Sequence, residues 1–251
     1  MHEVNKIEQC LADIHAWMTS NKLKLNSSKT EVMLFGTRTS LAKVNLSSLK
    51  VAGISVSIAE KPIRNLGVMF DHLMSMASHV NKTIQSANYH LRNIGLVRKQ
   101  LTEASTKYLV QSLVVSRLDY GNSLLCGIPK EHASKLQAVQ NKAARLITLA
   151  KKREHITPVL KSLHWLPVIC RIDFKVMLLI YKSLNGLAPQ YLINLLCEYQ
   201  PARELRSSGH ALLTVPKSRI AVGSRAFSVY GPKLWNSLPL NIRQAQSVTA
   251  F

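Results

Sequence analysis

The sequence predicts an α+β fold that is predominantly helical, and three observations carry that expectation. Beyond Asp71, apolar residues recur at spacings of three and four for most of the remaining chain. Before it, short β-favouring runs between Glu31 and Phe70 are broken by Gly36, Gly53, Pro62 and Gly67. With 47% hydrophobic and 18% charged residues, the 251-residue chain is apolar enough to bury one large core or two smaller ones.

The elements follow in order. Val4, Ile7, Leu11, Ile14 and Met18 fall on one face of a first helix, which is expected to pack against a sheet. Glu31–Phe35, the run from Val51 to Ile58, and Ile63–Phe70 are expected to form a small antiparallel sheet. A helix with Val80, Ile84, Ala87, Leu91 and Ile94 inward comes next, then a second, capped by Thr102 and carrying Leu109, Leu113 and Val114. A third follows Pro129, with Leu136, Val139, Ala143, Leu146 and Ile147 inward. Thr157-Pro158 and Leu166-Pro167 read as helix starts. The helix from Pro167 should stop near Asn185 and Gly186, and Pro189 should open another. From Pro201 onward, Gly, Pro, Ser and basic residues interrupt every apolar run. That tail is expected to be partly irregular and anchored by Phe227, Tyr230, Leu234 and Trp235. Trp165, Trp235 and Tyr230 sit within apolar patterns and are expected in the core, and His164 is expected to be structural.

Charge bounds the function. Lys and Arg number 33 against 13 Asp and Glu, a formal net charge of +20 spread along the chain. The expected partner is a polyanion: RNA, DNA or an RNA–DNA hybrid, because each phosphate neutralised releases condensed counterions whatever the base sequence. No membrane partner is expected. No basic amphipathic helix shows an exposed aromatic edge, and the longest apolar stretch, Val176 to Tyr181, is far shorter than a bilayer span. The chain carries no leader pattern after Met1, so an intracellular location, nuclear or cytoplasmic, is expected. Cys10, Cys126, Cys170 and Cys197 form no metal-ligand spacing and are expected to be buried small hydrophobes. The sequence gives no oligomer signal.

Phosphate-cradle, dinucleotide, zincin and nucleophile-elbow motifs are all absent. Asp13, Asp71, Asp119 and Asp173 stand singly, whereas two-metal phosphoryl transfer needs converging carboxylates. No catalytic or metal-binding residue is assigned.

Seven ordered segments then carry a family resemblance. Asn21–Gly36 (NKLKLNSSKTEVMLFG), preceded by Asp13-Ile14 and Trp17-Met18, resembles the fourth palm motif of LINE-type reverse transcriptases. Ile63–Asp71 (IRNLGVMFD) resembles the next motif, the hairpin that grips the primer end. Ser116–Pro129 (SRLDYGNSLLCGIP), Leu136–Ile147, His155–Leu192, Arg203–Ser208 (RELRSS) and Gly231–Arg243 (GPKLWNSLPLNIR) resemble the thumb and C-terminal region of jockey- and CR1-like non-LTR retrotransposons. The resemblance implies a partial palm over 1–75, thumb-like helices over 76–127 and a basic helical extension over 128–251. It implies an RNA-directed DNA polymerase whose complete form uses Mg²⁺. The family's metal-binding aspartates precede the first of these segments, and no Y-x-D-D string occurs here. Relatives also usually continue beyond the last of these segments with a basic, apolar tail, so both ends are expected to fall short of the family's full length. No cofactor is expected to be bound and no polymerase activity is expected of these residues alone.

By the same resemblance Lys29 lies near the incoming triphosphate, the alternative being a solvated loop lysine. Leu66, Gly67 and Val68 match the primer-grip turn, and Arg92, Arg98, Lys99 and Lys107 fall on the thumb, where cations track a duplex backbone. From charge density alone, Lys142, Arg145, Lys151, Lys152 and Arg153 are the first choice for phosphate contact. Two rival readings stay open: a non-enzymatic RNA- or DNA-binding or RNP scaffold protein, and a decayed element-derived reading frame.

Overall fold

The computed structural model describes residues 2–201, 203 and 211–251. Helices dominate, with two short antiparallel ladders near the N-terminus, so the fold is α+β and mostly helical. The chain divides into two compact units, Met1–His79 and Val80–Phe251.

In the first unit, α1 (His2–Ser20) packs on β1 (Ser48–Val51), which pairs with β2 (Ile54–Ser57). A short α2 (Arg38–Leu41) is N-capped by Thr37, whose hydroxyl accepts from the Ser40 amide. β3 (Ile63–Asn65) and β4 (Val68–Phe70) form the second ladder. Both hairpins turn on two residues with left-handed backbone, Ala52-Gly53 (φ 52° and 80°) and Leu66-Gly67 (φ 46° and 86°). That geometry matches the twist of the flanking strands and explains why a glycine stands in each turn.

Two expectations fail here. Ile7 and Ile14 are 49% and 45% exposed, and the face of α1 that meets β1 is instead Val4, Glu8, Leu11, His15 and Met18. A four-residue strand covers only a narrow stripe of a helix, and the Lys50 amide donates to Glu8 Oε1 (2.9 Å) across it. Glu31–Phe35 is not a strand either. Val32 makes one parallel bridge to Ile58, and the segment is otherwise held by His72, whose ring nitrogens lie 3.0 Å from the Leu34 and Glu60 carbonyl oxygens. A β-favouring run needs a free strand edge along its length, and only one position of that edge is offered.

In the second unit, α3 (Ala77–Val97) buries Val80, Ala87, Leu91 and Ile94, with Ile84 half-buried. α4 (Glu103–Val110) begins at Thr102, whose hydroxyl accepts from the Ser105 amide (3.1 Å). A π-turn at Gln111–Val115 leads into α5 (Ser116–Asp119). α6 (Lys130–Thr148) buries Leu136, Val139, Ala143 and Ile147. α7 (Ile156–Ser162) precedes the central helix α8 (Val168–Leu184), which ends at Asn185 before Gly186 (φ 68°). α9 (Gln190–Ile193) follows Pro189. Helices from both sides of residue 127 pack together in this unit, α4 on α6 and α5 on α8.

The tail is more regular than expected. α10 (Phe227–Ser237) is an unbroken helix despite Gly231 and Pro232, and α11 (Leu240–Arg243) follows it. Packing overrides propensity: Gly231 lies so close to α8 that a Cβ would meet Ile180 Cδ1 at 3.0 Å. Trp235 is 1% exposed and donates from Nε1 to the Ala211 carbonyl (2.8 Å). Phe251 stacks on Tyr181 with ring centroids 4.6 Å apart. Trp165 is also buried, and Tyr230 is half-buried with its hydroxyl 2.8 Å from Asp173 Oδ1. The cysteines depart from expectation: only Cys126 is buried, while Cys10, Cys170 and Cys197 are exposed, because each sits on an outward position of its segment.

Candidate nucleic-acid interface

The densest basic cluster is built on the C-terminal end of α6. Its last carbonyls have no partner within the helix and carry the negative end of the helix dipole, so they attract cations. Arg98 answers from the end of α3: Nε donates to the Leu146 carbonyl and Nη2 to that of Ile147, both at 2.8 Å, while Nη1 donates to Leu101 O at 2.9 Å. Arg145 secures the other side, donating from Nη2 to Glu154 O (3.0 Å) and from Nε to Lys151 O (3.3 Å). Between these two clamps the chain leaves α6 through Leu149, which takes a left-handed φ of 56° and is 67% exposed. It then presents Lys151, Lys152 and Arg153, all exposed.

The predicted residues thus separate by role. Lys151, Lys152 and Arg153 are free to meet an anion. Arg98 and Arg145 are committed to backbone carbonyls and position the loop. Lys99 is exposed on the 3-10 turn beside Arg98, at the same corner. Lys142, one turn before Arg145, reaches Asn88 Oδ1 across α3 (3.5 Å), and Arg92 is exposed one turn beyond Asn88. Lys107 is exposed on α4 next to Tyr108.

In the first unit, Lys29 is exposed at the end of a 3-10 turn, Ser27–Lys29, that Asn26 organises by accepting from the Ser28 amide at Oδ1 (3.1 Å). Leu66 is 85% exposed at the tip of its hairpin, and Val68 points inward at 5%. A leucine at left-handed φ costs on the order of 1–2 kcal/mol relative to glycine, and here it holds an apolar side chain in solvent.

The aspartates are engaged elsewhere. Asp71 accepts from the amides of Leu73, Ser75 and Met76 and from the Ser75 hydroxyl, organising the loop that leads into α3. Asp119 forms a two-pronged pair with Arg171. Asp173 receives the Tyr230 hydroxyl, and burial together with that carboxylate pushes the phenol well above its ordinary range. Among the described residues no group of three His, Cys, Asp or Glu side chains converges. This donor set does not fit a two-metal centre.

Sequence reading missed the clamp function of Arg98 and Arg145, which depends on carbonyls 48 and 49 residues away for Arg98. It also passed over a cavity lined by Asp119, Asn122, His164, Leu166, Arg171, Phe174 and Lys175. The signal available was that two of the quoted segments, Ser116–Pro129 and His155–Leu192, supply all seven. Of the segment Arg203–Ser208, all but Arg203 lies outside the described residues. No helix among the described residues is long and apolar enough to cross a membrane.

No family model, curated protein or solved structure matches this chain.

Proposed function

We propose that this chain is the downstream part of a non-LTR retrotransposon reverse transcriptase, a basic body that holds RNA, DNA or an RNA–DNA hybrid inside the cell without itself extending a primer. The observation that carries the reading is the corner at the end of α6. There two arginines are spent on backbone carbonyls, and the loop that leaves α6 offers Lys151, Lys152 and Arg153 to solvent. Adjacent uncommitted cations that read no base suit a phosphate backbone. The net charge of +20 supports the same partner, and the ordered motifs support the family.

A filter-binding titration of an RNA–DNA hybrid at several salt concentrations tests it, run beside primer extension on an RNA template with Mg²⁺ or Mn²⁺. Binding is expected to weaken steeply with salt and to tolerate any sequence. Replacing Lys151, Lys152 and Arg153 by Ala should flatten the log–log salt slope by about 2–3. Tight binding that ignores salt, or nucleotide incorporation that survives repurification, would overturn the proposal.

A further inference from the structure

The outer face of α3 carries a pattern that the helical core does not use. Gln85, Tyr89, Arg92 and Leu96 recur at spacings of four, three and four, which sets them on one stripe, opposite the inward Val80, Ala87, Leu91 and Ile94. All four are exposed, Tyr89 by 62% and Leu96 by 75%. The 21 residues of α3 include no Asp or Glu. Beside the stripe, Lys142 of α6 reaches Asn88 Oδ1 (3.5 Å), and at its end stands the exposed Lys99. The stripe thus runs into the basic corner, where Arg98 holds the carbonyls of Leu146 and Ile147.

A single exposed leucine is ordinary on any surface. Here an aromatic ring and a leucine stand two turns apart with an arginine between them, on a helix that has no carboxylate to offset the charge. Two turns advance about 10 Å along the axis. That is close to three steps of a stacked strand at about 3.4 Å each. A matching ligand must present apolar faces and negative charge at intervals along one line. A duplex keeps its base faces inside the stack and shows its surroundings a backbone and grooves, so it leaves Tyr89 and Leu96 unmatched. An unpaired strand offers both, its bases to the ring and the leucine and its phosphates to the cations.

We propose that the outer face of α3 is a track for an unpaired strand of RNA or DNA. Bases lie against Tyr89 and Leu96, and the backbone follows Arg92, Lys142 and Lys99 towards Lys151, Lys152 and Arg153. Stacking on an aromatic ring and contact with phosphate are both indifferent to base identity, so the track selects strandedness and not sequence. The inference rests on the nucleic-acid reading above and divides its work: the corner holds phosphate in any form, and the α3 face tells a single strand from a duplex.

Fluorescence anisotropy of the full chain with a labelled short oligothymidylate, beside a labelled duplex of equal length, tests the proposal. Tyr89→Ala is expected to weaken single-strand binding about tenfold and Leu96→Ser several-fold, with Tyr89→Phe close to the unaltered chain and duplex affinity the same in all three. Both positions are exposed, so the melting temperature should not move. Single-strand affinity unchanged in Tyr89→Ala, or duplex affinity falling by the same factor, overturns the track. So does Leu96→Ser releasing the chain from phosphatidylserine vesicles with single-strand affinity intact, which assigns the apolar positions to a membrane surface. Duplex binding lost in the Lys151, Lys152 and Arg153 triple variant, with Tyr89→Ala silent, leaves the basic corner standing and brings down the track alone. Binding of neither probe brings down both readings.

Discussion

The first unit buries four apolar side chains among its described residues, Leu49, Val51, Val68 and Met76, while the second buries twenty-eight. The two are also held by different means. In the second unit, α8 sets Ile172, Val176 and Ile180 into a core shared with α6 and α10. In the first, polar cross-links do what burial does elsewhere. Asp71 gathers four donors, His72 bridges two carbonyls, and two short hairpins stand as separate two-stranded ladders. Two-stranded ladders are marginal in water, and unpaired strand edges invite further pairing. The difference teaches that the second unit carries its own stability, whereas the first depends on a few hydrogen-bonding residues.

The largest expected effect comes from the second unit. Trp235→Ala empties the place of a fully buried indole and removes its bond to Ala211 O, and should cost about 3–5 kcal/mol in denaturant unfolding. Native-state hydrogen exchange should then show faster opening of α8 with the hairpin amides unchanged. Uniform acceleration across both units would break the comparison. Asp71→Ala is the matching change in the first unit. It strands three amides and should cost on the order of 2–4 kcal/mol, with deprotection of β3 and β4 and not of α8. Arg98→Ala should lower second-unit stability by about 2 kcal/mol and loosen the 151–153 loop, read as faster exchange at Glu154.

The smallest effect is electrostatic. Tyr230 has its folded-state pKa raised from 10.0 by burial and by Asp173. Its contribution is therefore complete below pH 10 and lost as pH rises beyond it, because the unfolded chain ionises first. Alkaline unfolding of α10 should begin at higher pH in Tyr230→Phe, and an unchanged alkaline limb would show that another group governs it.

Much of this was legible in the chain itself. Spacings of three and four placed Val80, Ala87, Leu91 and Ile94, then Leu136, Val139, Ala143 and Ile147, on buried faces. Thr102 marked a helix start, Gly186 a stop, and Gly53 and Gly67 two turns. These are local signals, fixed by 3.6-residue periodicity and by backbone conformations that few residues accept. The basic composition gave Lys151, Lys152 and Arg153 as exposed cations for the same reason, since adjacent charges in a loop stay in water.

Tertiary structure decided what depends on a distant partner. Whether Glu31–Phe35 became a strand rested on an edge more than twenty residues away, offered at Ile58 alone. α10 persists through Pro232 because Ile180 and Trp235 pack around it. Arg98 became a clamp because the open carbonyls at the end of α6 lay within its reach. Asn122, His164 and Lys175 became one cavity only when α5 and α8 came together. A sequence states each residue's preference among its neighbours, but a hydrogen bond or a cavity wall needs two chain segments at one place, and only the packed core sets that distance.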